Sequence, residues 1–600
     1  MSRASSRTTV PKNLGQLFKI TAQKFPNKPA FFSKEDGKYL SQTWAQAWQK
    51  VDVLASFFAR QSLSVGDRLA ILSENRPEWA ITDLAAQTLG IATVPIYPSL
   101  TASEIQYILE DSGAKMLVVS NKALFDKIPA IQKTLPQLKS ILGFDAFLKV
   151  HADEVSVPVY LYSEVEKMTR DPDIAEMNDR VTPDALASII YTSGTTGQPK
   201  GVMLTHDNFI QNALMCKETL KMSQSDSHLS FLPLCHVFER TAGLYLMIYI
   251  GASIAYAENM DTVPQNILEV RPTFLLGVPR FFEKVESRVS EKIKHAGRRR
   301  FALFQWASGL RRKKRRGEKW SFLDRLLSPL AGLLVYRKFE KGLGGRLRFC
   351  VSGGAPLAKE IAEFFYDLGV LIYEGYGLTE TSPVMTVNRQ NRVRFGSVGL
   401  PLSGVQIKIS EDGEILTKSA CVMKGYWKKP LETAEVLKEG WFYTGDLGRL
   451  DADGFLYITG RKKELIVTSG GKKISPRPIE ELLEKDPFIL RCVLYGECKK
   501  FITALLVPKE EEITKYARER KIAFTDYADL LKDKNIHEFM DGRIQEIMKD
   551  LASYEKIKYF LLLPDDFTQS SGELTPTLKV KREVVLARYR TALDALYANE

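Results

Sequence analysis

Cysteine and histidine are scarce in this chain, with six of each among 600 residues. The cysteines, at positions 216, 235, 350, 421, 492 and 498, form no Cys-x-x-Cys pair and have no histidine at the spacing of zinc ligands. This distribution excludes a disulfide-stapled scaffold and a zinc-finger fold. We therefore expect a reduced, intracellular protein that holds no structural metal.

Long uninterrupted apolar runs are also missing. A membrane-spanning helix needs roughly 20 predominantly apolar residues. The stretch 84–103 is broken by Gly90, Pro95 and Pro98, and the stretch 241–257 is too short. No apolar core of a secretory signal follows the basic N-terminus. We expect buried helix and strand in both stretches and no transmembrane segment.

The length and composition indicate a globular protein of at least two domains. Six hundred residues exceed what one hydrophobic core usually serves. With 44% apolar and 26% charged residues, the composition is that of a soluble protein. Helical periodicity over 44–60 alternates with short apolar runs at 68–72, 91–95 and 116–120, which predicts parallel strands covered by helices. The predicted fold class is α/β, with a large N-terminal domain of mainly parallel sheets and a small α+β C-terminal domain.

The stretch around residue 195 is a loop of glycines and hydroxyl side chains that ends in one lysine. An apolar run at 187–191 predicts a buried strand before it. The loop reads Tyr191-Thr192-Ser193-Gly194-Thr195-Thr196-Gly197-Gln198-Pro199-Lys200-Gly201. Glycines let backbone N–H groups approach an anion, and hydroxyls and Lys200 add donors and charge, which suits a polyphosphate. It is not the P-loop of kinases, because Pro199 stands where glycine must precede the lysine. A polar surface turn is the alternative for such a loop alone.

Further motifs follow in chain order. They are Phe231-Leu232-Pro233-Leu234-Cys235-His236-Val237-Phe238-Glu239-Arg240, Val351-Ser352-Gly353-Gly354-Ala355-Pro356, Tyr373-Glu374-Gly375-Tyr376-Gly377-Leu378-Thr379-Glu380-Thr381, Tyr443-Thr444-Gly445-Asp446-Leu447-Gly448, Gly460-Arg461-Lys462-Lys463-Glu464 and Leu574-Thr575-Pro576-Thr577-Leu578-Lys579-Val580-Lys581-Arg582. The second and third are expected where strands give way to loops, the place where open α/β sheets collect ligands. Asp446 is expected in a glycine-flanked turn. Taken singly, each motif also has a structural explanation, such as a core histidine or a charged surface turn.

Together, and nearly letter for letter, these motifs resemble the signatures of the adenylate-forming enzymes. This superfamily contains acyl-CoA synthetases, firefly luciferase and peptide-synthetase adenylation domains. The Val-Phe-Glu-Arg after His236 resembles the long-chain fatty acyl-CoA synthetase version, and the resemblance extends from about residue 15 to 585. Leu578 departs from the more widespread glycine before the catalytic lysine, and we expect no consequence for activity.

The resemblance implies that the large domain binds ATP and Mg²⁺. The residues implied to contact ATP are Thr192, Ser193, Gly194, Thr195, Thr196, Gly197, Lys200, Gly353, Gly354, Ala355, Tyr376, Gly377, Asp446 and Arg461. Among the catalytic residues, Thr379 would contact the α-phosphate, Glu380 would coordinate Mg²⁺ and His236 would lie beside the acyl carboxylate. The uncharged stretches 241–257 and 274–279 would then wall an acyl tunnel, or else be plain core.

It also implies two half-reactions and a mobile C-terminal domain. The fatty acid carboxylate attacks ATP to give acyl-AMP and pyrophosphate, and the CoA thiol then displaces AMP. Lys579 would bridge the carboxylate and the α-phosphate in the first step, whereas Gly470 and Gly471 would admit the pantetheine arm in the second. The implied domains are an AMP-binding domain at 1–460, a hinge at 461–463 with Lys463 as pivot, and a lid domain at 464–600.

The positive charge of the chain is concentrated in one segment. Residues 292–319 contain twelve Lys or Arg and one acid, a net +11 of the chain's +12. This segment belongs to an insert at about 291–345, in which basic runs flank Phe304 and Trp306, so that a basic helix would expose aromatics on its other side, and leucines follow at helical spacing. A basic amphipathic helix suits an anionic membrane, from which a fatty acid must be collected. We expect a cytoplasmic protein on the inner face of a membrane, with no nucleic-acid partner; a nucleic-acid patch and a solvated face are the alternatives.

Three other functions remain open from the sequence. The protein could be an acyl-AMP ligase that loads a carrier protein, an adenylating enzyme for an aryl or short acid, or an inactive membrane-binding scaffold. The Val-Phe-Glu-Arg motif and the basic insert argue against the second. The scaffold is opposed by intact active-site positions, namely Lys200, Glu380, Asp446, Arg461 and Lys579.

Overall fold

A computed structural model describes residues 10–192, 198–575 and 578–597. The predicted α/β class is confirmed, with two large sheets that are parallel at their centres, helices on their faces and a smaller C-terminal domain. In these ranges no helix is long and apolar enough to cross a membrane.

The first sheet has nine strands among the described residues and is parallel over its centre. In spatial order they are Leu400–Pro401, Val384–Val387, Ile372–Gly377, Phe349–Ser352, Phe274–Gly277, Ser227–Ser230, Ser253–Tyr256, Pro29–Glu35 and Lys38–Thr43. Strands Phe349–Ser352 and Ile372–Gly377 are parallel neighbours. Their carboxyl ends therefore bring two of the sequence motifs to one edge of the sheet.

The second sheet carries the start of the phosphate-loop motif. Its eight strands within the described ranges are, in spatial order, Gly425–Tyr426, Lys200–Thr205, Leu186–Thr192, Ala92–Ile96, Arg68–Leu72, Met116–Val119, Ser140–Gly143 and Val159–Leu161. The predicted strand before the loop is confirmed, and Thr192 pairs directly with Lys200 on the antiparallel neighbour. Residues Ser193, Gly194, Thr195, Thr196 and Gly197 lie outside the described residues.

A third, antiparallel sheet closes the large domain. It contains Gln406–Ile409, Glu414–Lys418, Trp441–Leu450, Leu437–Lys438 and Leu456–Arg461. The C-terminal domain pairs Ile466–Val467 with Lys473–Ile474 and forms a second sheet from Ile489–Tyr495, Ile502–Pro508 and Ile557–Leu562. The small domain is therefore α+β, as predicted.

Helices cover the sheets and build most of the insert. The α-helices are Leu14–Lys24, Trp44–Arg60, Pro77–Thr88, Ala102–Ser112, Lys122–Phe125, Pro129–Gln132, Tyr162–Val165, Ile174–Arg180, His206–Leu220, Leu246–Ile250, Val263–Val270, Pro279–Lys294, Arg298–Arg315, Phe322–Ala331, Arg337–Gly342, Lys359–Asp367, Pro430–Val436, Pro476–Glu484, Glu510–Glu519, Tyr527–Leu530, Lys534–Ile547 and Arg582–Ala595. Turns of 3₁₀-helix occur at Ala146–Lys149, Ala152–Glu154, Thr379–Thr381, Lys462–Glu464 and Ser553–Glu555, and π-helical segments at Glu239–Tyr245 and Gly332–Tyr336.

Local side-chain signals fix several helix starts. The side chain of Thr43 accepts the N–H of Gln46, whose side chain in turn accepts the N–H of Thr43. This reciprocal capping box begins the helix predicted over 44–60, which is confirmed. Thr101 and Glu104 repeat the arrangement at the helix Ala102–Ser112.

One loop prediction was wrong in detail: Asp446 lies inside the ten-residue strand Trp441–Leu450 and not in a turn. The motif 373–381 crosses from strand to loop as expected, because the strand Ile372–Gly377 ends within it. Glycines in both motifs permit close backbone packing, since a Cβ would lie 1.8 Å from the carbonyl oxygen of Pro383 at Gly377 and 2.6 Å from that of Tyr457 at Gly448. Register shifts at Leu447/Gly448 and at Tyr376/Gly377 mark the same places.

The uncharged stretches identified in the sequence are buried, as expected. Residues 84–103 enter the helix Pro77–Thr88 and the strand Ala92–Ile96, and residues 241–257 enter Leu246–Ile250 and Ser253–Tyr256. Phe274–Gly277 is a fully buried central strand. Most of these residues therefore serve as core, and an acyl tunnel walled by 241–257 and 274–279 stays a prediction.

A fully buried ion pair ties the Val-Phe-Glu-Arg motif to the second sheet. Arg240 donates to Asp83, to the hydroxyl of Ser188 at 2.7 Å and to that of Tyr245 at 3.0 Å. Arg240 and Asp83 are both 0% exposed. The preceding Glu239 contacts the equally buried His228 at 2.8 Å. These charged residues therefore join the two large sheets across the core.

We expect Arg240→Met to destabilise the large domain by about 3–5 kcal/mol, because it leaves the carboxylate of Asp83 buried without its cation. Urea unfolding followed by intrinsic fluorescence measures this change. Arg180→Met is the matched control, since Arg180 pairs with Glu176 at the surface. Equal midpoints for the two variants would contradict a structural role for the buried pair.

Candidate active site

The ribose corner is built from three residues of three different strands. Asp446 and Arg461 are directly paired across neighbouring antiparallel strands, and the Arg461 Nε donates to Asp446 Oδ1 at 2.7 Å. Tyr376, on the first sheet, donates its hydroxyl to Asp446 Oδ2 at 2.6 Å. Burial and the Asp446 charge raise the pKa of Tyr376 well above its ordinary value, so the hydroxyl remains a donor. The structure thus brings together the predicted adenine and ribose residues.

The predicted metal corner centres on Glu380, which lies in the 3₁₀ turn Thr379–Thr381 just after the strand Ile372–Gly377. Tyr426 donates its hydroxyl to Glu380 Oε1 at 2.9 Å. The Lys200 ammonium lies 5.1 Å from the centre of the Tyr426 ring, so the phosphate-loop lysine faces the same corner. Enclosure by protein raises the pKa of Glu380.

This corner fits Mg²⁺ bound through one carboxylate. No cluster of three or more His, Cys, Asp or Glu side chains that could hold a metal occurs in the described part of the chain. Tyr426 donates to Oε1 alone, so Glu380 could offer its other carboxylate oxygen, Oε2, to a metal ion. Mg²⁺ commonly binds one or two carboxylates together with the substrate phosphates and waters. The donor set is therefore sufficient for a metal that arrives with ATP.

The glycine motif after the strand Phe349–Ser352 lies beside the Val-Phe-Glu-Arg motif. A Cβ at Gly353 would lie 3.1 Å from the Phe238 ring, so glycine permits this close approach. Gly354 and Ala355 continue the same loop. Two motifs more than a hundred residues apart in sequence therefore meet at the edge of the nucleotide site.

His236 is held in one orientation by its own backbone. The N–H of Phe238 donates to His236 Nδ1 at 3.1 Å, which places the proton of a neutral imidazole on Nε2. Burial and the nearby charge of Lys579 lower the pKa of His236 to about 4. This histidine therefore offers a neutral N–H donor at physiological pH.

Lys579 is carried into the cleft by a tight loop of the small domain. The backbone N–H of Lys579 donates to the Thr575 hydroxyl at 3.0 Å, and the backbone N–H of Thr575 donates to the Lys579 carbonyl at 2.8 Å. Leu578, where relatives of the resembled family carry glycine, has a φ of +62°, which explains the preference for glycine there. The Lys579 side chain is exposed, and Arg461 and Asp446 of the large domain lie near enough to act on its charge. Desolvation by the surrounding protein and the nearby Arg461 lower the pKa of Lys579 to about 8.

The glycine loop predicted to admit CoA lies away from the nucleotide site in this conformation. Gly470 and Gly471 are exposed, and a Cβ at Gly471 would meet no described atom within 4 Å. The ammonium of the adjacent Lys472 lies over the ring of Tyr554, within the small domain. The structure therefore presents Lys579, and not the glycine loop, to the nucleotide site.

The sequence missed several residues that support the site. Lys462 contacts Asp412 at 2.6 Å and Glu414 at 2.8 Å, and Glu414 also accepts the N–H of Gly445 at 2.9 Å. Glu414 thereby links the hinge to the residue before Asp446. The hydrogen bond from the Tyr426 hydroxyl to Glu380 was missed as well. Because these contacts join segments distant in sequence, only the acidic Asp412-Gly413-Glu414 turn could have drawn attention to them.

The pH dependence should report the charge of Lys579. A lysine whose pKa is about 8 is protonated below that pH and loses its charge as the pH rises. We expect kcat/KM for acyl-AMP formation, which reports the free enzyme, to decline above about pH 8. In Lys579→Arg the guanidinium stays charged, so any remaining activity should lack this alkaline decline. The same decline in Lys579→Arg would assign the ionisation to another group.

The Asp446–Arg461–Tyr376 corner, the Glu380 carboxylate that fits Mg²⁺ and a lysine supplied by a loop of the small domain together match the adenylate-forming class of enzyme. Two family models match this chain, the AMP-binding enzyme model over residues 18–427 and the model of its C-terminal domain over 463–600. The chain belongs to the AMP-binding enzyme family.

Curated relatives and solved structures refine this assignment. The chain is 35% identical over 578 residues to long-chain-fatty-acid–CoA ligase FadD15 of Mycobacterium bovis, covering 94% of each chain. It is 32% identical to long-chain-fatty-acid–CoA ligase ACSBG2 of Xenopus laevis, covering 98% of this chain and 84% of the relative. The adenylation domain of a carboxylate reductase from Mycobacterium chelonae shares the fold at a TM-score of 0.75 and 23% identity, covering 98% of this chain and 91% of that one.

Proposed function

We propose that this protein is a long-chain fatty acid–CoA ligase that works through an acyl-AMP intermediate and releases AMP and pyrophosphate. The observation that carries the proposal is the convergence of Lys579, from the small domain, on the Asp446–Arg461 corner of the large one. The similarity to ligases that are named for long-chain fatty acids supports the acid as substrate.

The first half-reaction joins two anions, so the site must neutralise charge and align the reactants. Asp446, Arg461 and Tyr376 would fix the ribose and adenine, while Lys200 and the hydroxyl loop hold the β- and γ-phosphates. Thr379, next to Glu380, would donate to the α-phosphate. Glu380 would hold Mg²⁺, which when bound supplies positive charge to the phosphates.

Lys579 and His236 complete the arrangement around the carboxylate. The ammonium of Lys579 would contact both the acyl carboxylate and the α-phosphate as the bond between them forms. Because His236 is neutral with its proton on Nε2, it would orient the carboxylate by donating a hydrogen bond and would not transfer a proton. Catalysis then rests on electrostatics and positioning.

The second half-reaction needs a different face of the small domain. The loop with Gly470 and Gly471 faces solvent while Lys579 occupies the cleft. A rotation about the hinge would withdraw Lys579 and admit the glycine loop, which leaves room for the pantetheine arm of CoA. Lys463, between the anchored Lys462 and the small domain, is the proposed pivot.

A chain-length series tests the function. The protein is incubated with ATP, Mg²⁺, CoA and acids from acetate to long saturated and aryl acids, with AMP, pyrophosphate and thioester measured separately. A long-chain ligase gives all three products, most efficiently with long chains. Acyl-AMP without turnover of free CoA would indicate loading of a carrier protein, preference for aryl or short acids would indicate another adenylating enzyme, and no product would indicate an inactive scaffold.

We also propose a cytoplasmic location on the inner face of a membrane, with contact through the segment 292–319. In support, Lys292, Lys294 and the run Arg298–Arg300 are exposed and form no ion pair with any described residue. Such cations attract anionic lipid within a Debye length.

A further inference from the structure

The second helix of the insert exposes an uninterrupted apolar stripe. Its large side chains are much more exposed than leucines usually are: Phe322 is 79% exposed, Leu323 63%, Leu326 61%, Leu330 47%, Leu333 56% and Leu334 48%. At about 100° per residue these positions fall on one face of the continuous helix 322–336. A contiguous apolar surface of this kind marks a site of interaction.

The opposite face of this helix is firmly packed, so the stripe belongs to an ordered element. Ala331 and Tyr336 form a small core with Ala307 and Leu310 of the basic helix Arg298–Arg315. The hydroxyl of Tyr336 donates to the carbonyl of Ala307 at 2.6 Å. The two helices therefore form one unit, here named the apolar arm (residues 298–336), with one side buried and the other bare.

The sequence assigned the exposed aromatic face to the wrong helix. Phe304 and Trp306 are half-buried, with Phe304 near the ring of Phe364 and Trp306 packed against the small core of the arm. They face the protein because the basic helix lies against the helix Lys359–Asp367. The apolar surface is instead formed by the leucine-rich helix that follows.

The basic residues of the arm divide into two groups. Arg312 and Arg315 attach it to the protein, because they contact Asp367 at 3.5 Å and 3.2 Å, while Lys313 contacts Asp324 at 3.0 Å within the arm. A second group is exposed and forms no ion pair with any described residue, and it consists of Arg298, Arg299, Arg300, Lys314, Lys319 and Arg325, with Arg337 and Lys338 directly after the arm. The bare stripe is therefore bordered by uncompensated positive charge.

We infer that the leucine stripe of the apolar arm inserts into the interfacial region of an anionic lipid bilayer, with the exposed cations lying against the headgroups. Apolar side chains bordered by Lys and Arg suit this surface. A second copy of the chain fits less well, because two arms face to face would bring like charges together. This inference rests on the proposed function, since it places the acid's source beside the enzyme.

Vesicle flotation with and without phosphatidylglycerol tests the inference. We expect Leu323→Gln, Leu326→Gln and Leu330→Gln combined to weaken binding to both vesicle types by at least about a hundredfold. A second triple variant carries Arg298→Gln, Arg299→Gln and Arg300→Gln. It should bind anionic vesicles at low salt about a hundredfold more weakly, and its binding should change little under the other conditions. The matched control is Leu431→Gln with Val150→Gln, because Leu431 is 79% and Val150 82% exposed elsewhere on the surface.

A fluorescent label reports insertion directly. Leu326→Cys in a Cys498→Ser background places an environment-sensitive dye on the stripe, and Leu431→Cys places it on the control surface; the other cysteines are buried. A blue shift on vesicle addition is expected only at position 326. No shift at 326, or a wild-type dimer in light scattering that the leucine variant abolishes without any vesicle binding, would overturn the inference.

The same samples separate this inference from the proposed ligase activity. Adenylation of a water-soluble medium-chain acid should be unchanged in the leucine variant, since the stripe contains no nucleotide-site residue. Vesicle binding without activity on any acid would refute the ligase and leave lipid insertion standing. Ligase activity without vesicle binding would refute lipid insertion and leave the proposed ligase activity standing.

Discussion

Replacing Lys579 by alanine should reduce acyl-AMP formation by at least about a hundredfold, while thioester formation from supplied acyl-AMP continues. The lysine reaches the nucleotide site in the present domain arrangement, where the glycine loop at 470–471 faces solvent. It would therefore act in only one of the two half-reactions. Pyrophosphate release from ATP and acid measures the first step, and CoA consumption with synthetic acyl-AMP measures the second.

Lys581→Ala is the matched control in the same loop. Lys581 lies 3.9 Å from Glu104 of the large domain, and it takes part in no contact with the nucleotide corner among the described residues. Its loss should affect both steps little. If Lys579→Ala lowered both half-reactions equally, the two-conformation scheme would be wrong.

Lys463→Pro should allow acyl-AMP to form and should block thioester formation almost completely. The two residues that precede the pivot are held to the large domain by ion pairs, because Arg461 contacts Asp446 and Lys462 contacts Glu414. Small-domain structure begins at the strand Ile466–Val467. A rotation must therefore be absorbed by the few intervening residues, and proline fixes φ in the middle of them. The measurements are the same two half-reaction assays.

Lys463→Ala separates the backbone from the side chain. Alanine removes the exposed ammonium but leaves φ free, so turnover should stay near that of the unsubstituted protein. A proline variant with normal overall turnover would place the pivot elsewhere. An alanine variant as impaired as the proline variant would show that the side chain, and not backbone freedom, is required.

The core of the large domain divides from that of the small domain near this pivot. The main apolar cluster extends from Leu14 to Leu456, and the clusters of the small domain begin at Ile466. No cluster within the described ranges includes residues on both sides. Because no hydrophobic cluster crosses the hinge, the small domain could rotate without disrupting the core of either domain.

By itself, the sequence determined the chemistry and much of the local structure. Short-range signals suffice for both, because a capping box such as Thr43 with Gln46 acts within a single turn. The roles expected of the glycine–hydroxyl loop, Asp446 and Lys579 follow from their residue types and from the family motifs that they match. Strands such as Leu186–Thr192 follow from apolar runs bounded by polar residues.

Only the tertiary structure decided which of these residues meet. The pairing of Asp446 with Arg461 and Tyr376 depends on the register of two strands and on the contact between two sheets. Arg240 became a buried partner of Asp83, 157 positions away, for the same reason. Periodicity shows that a helix has an apolar face but not whether another element covers it. Packing therefore decided that Phe304 and Trp306 face the protein, whereas the leucines of the stripe, such as Leu323 and Leu326, remain exposed.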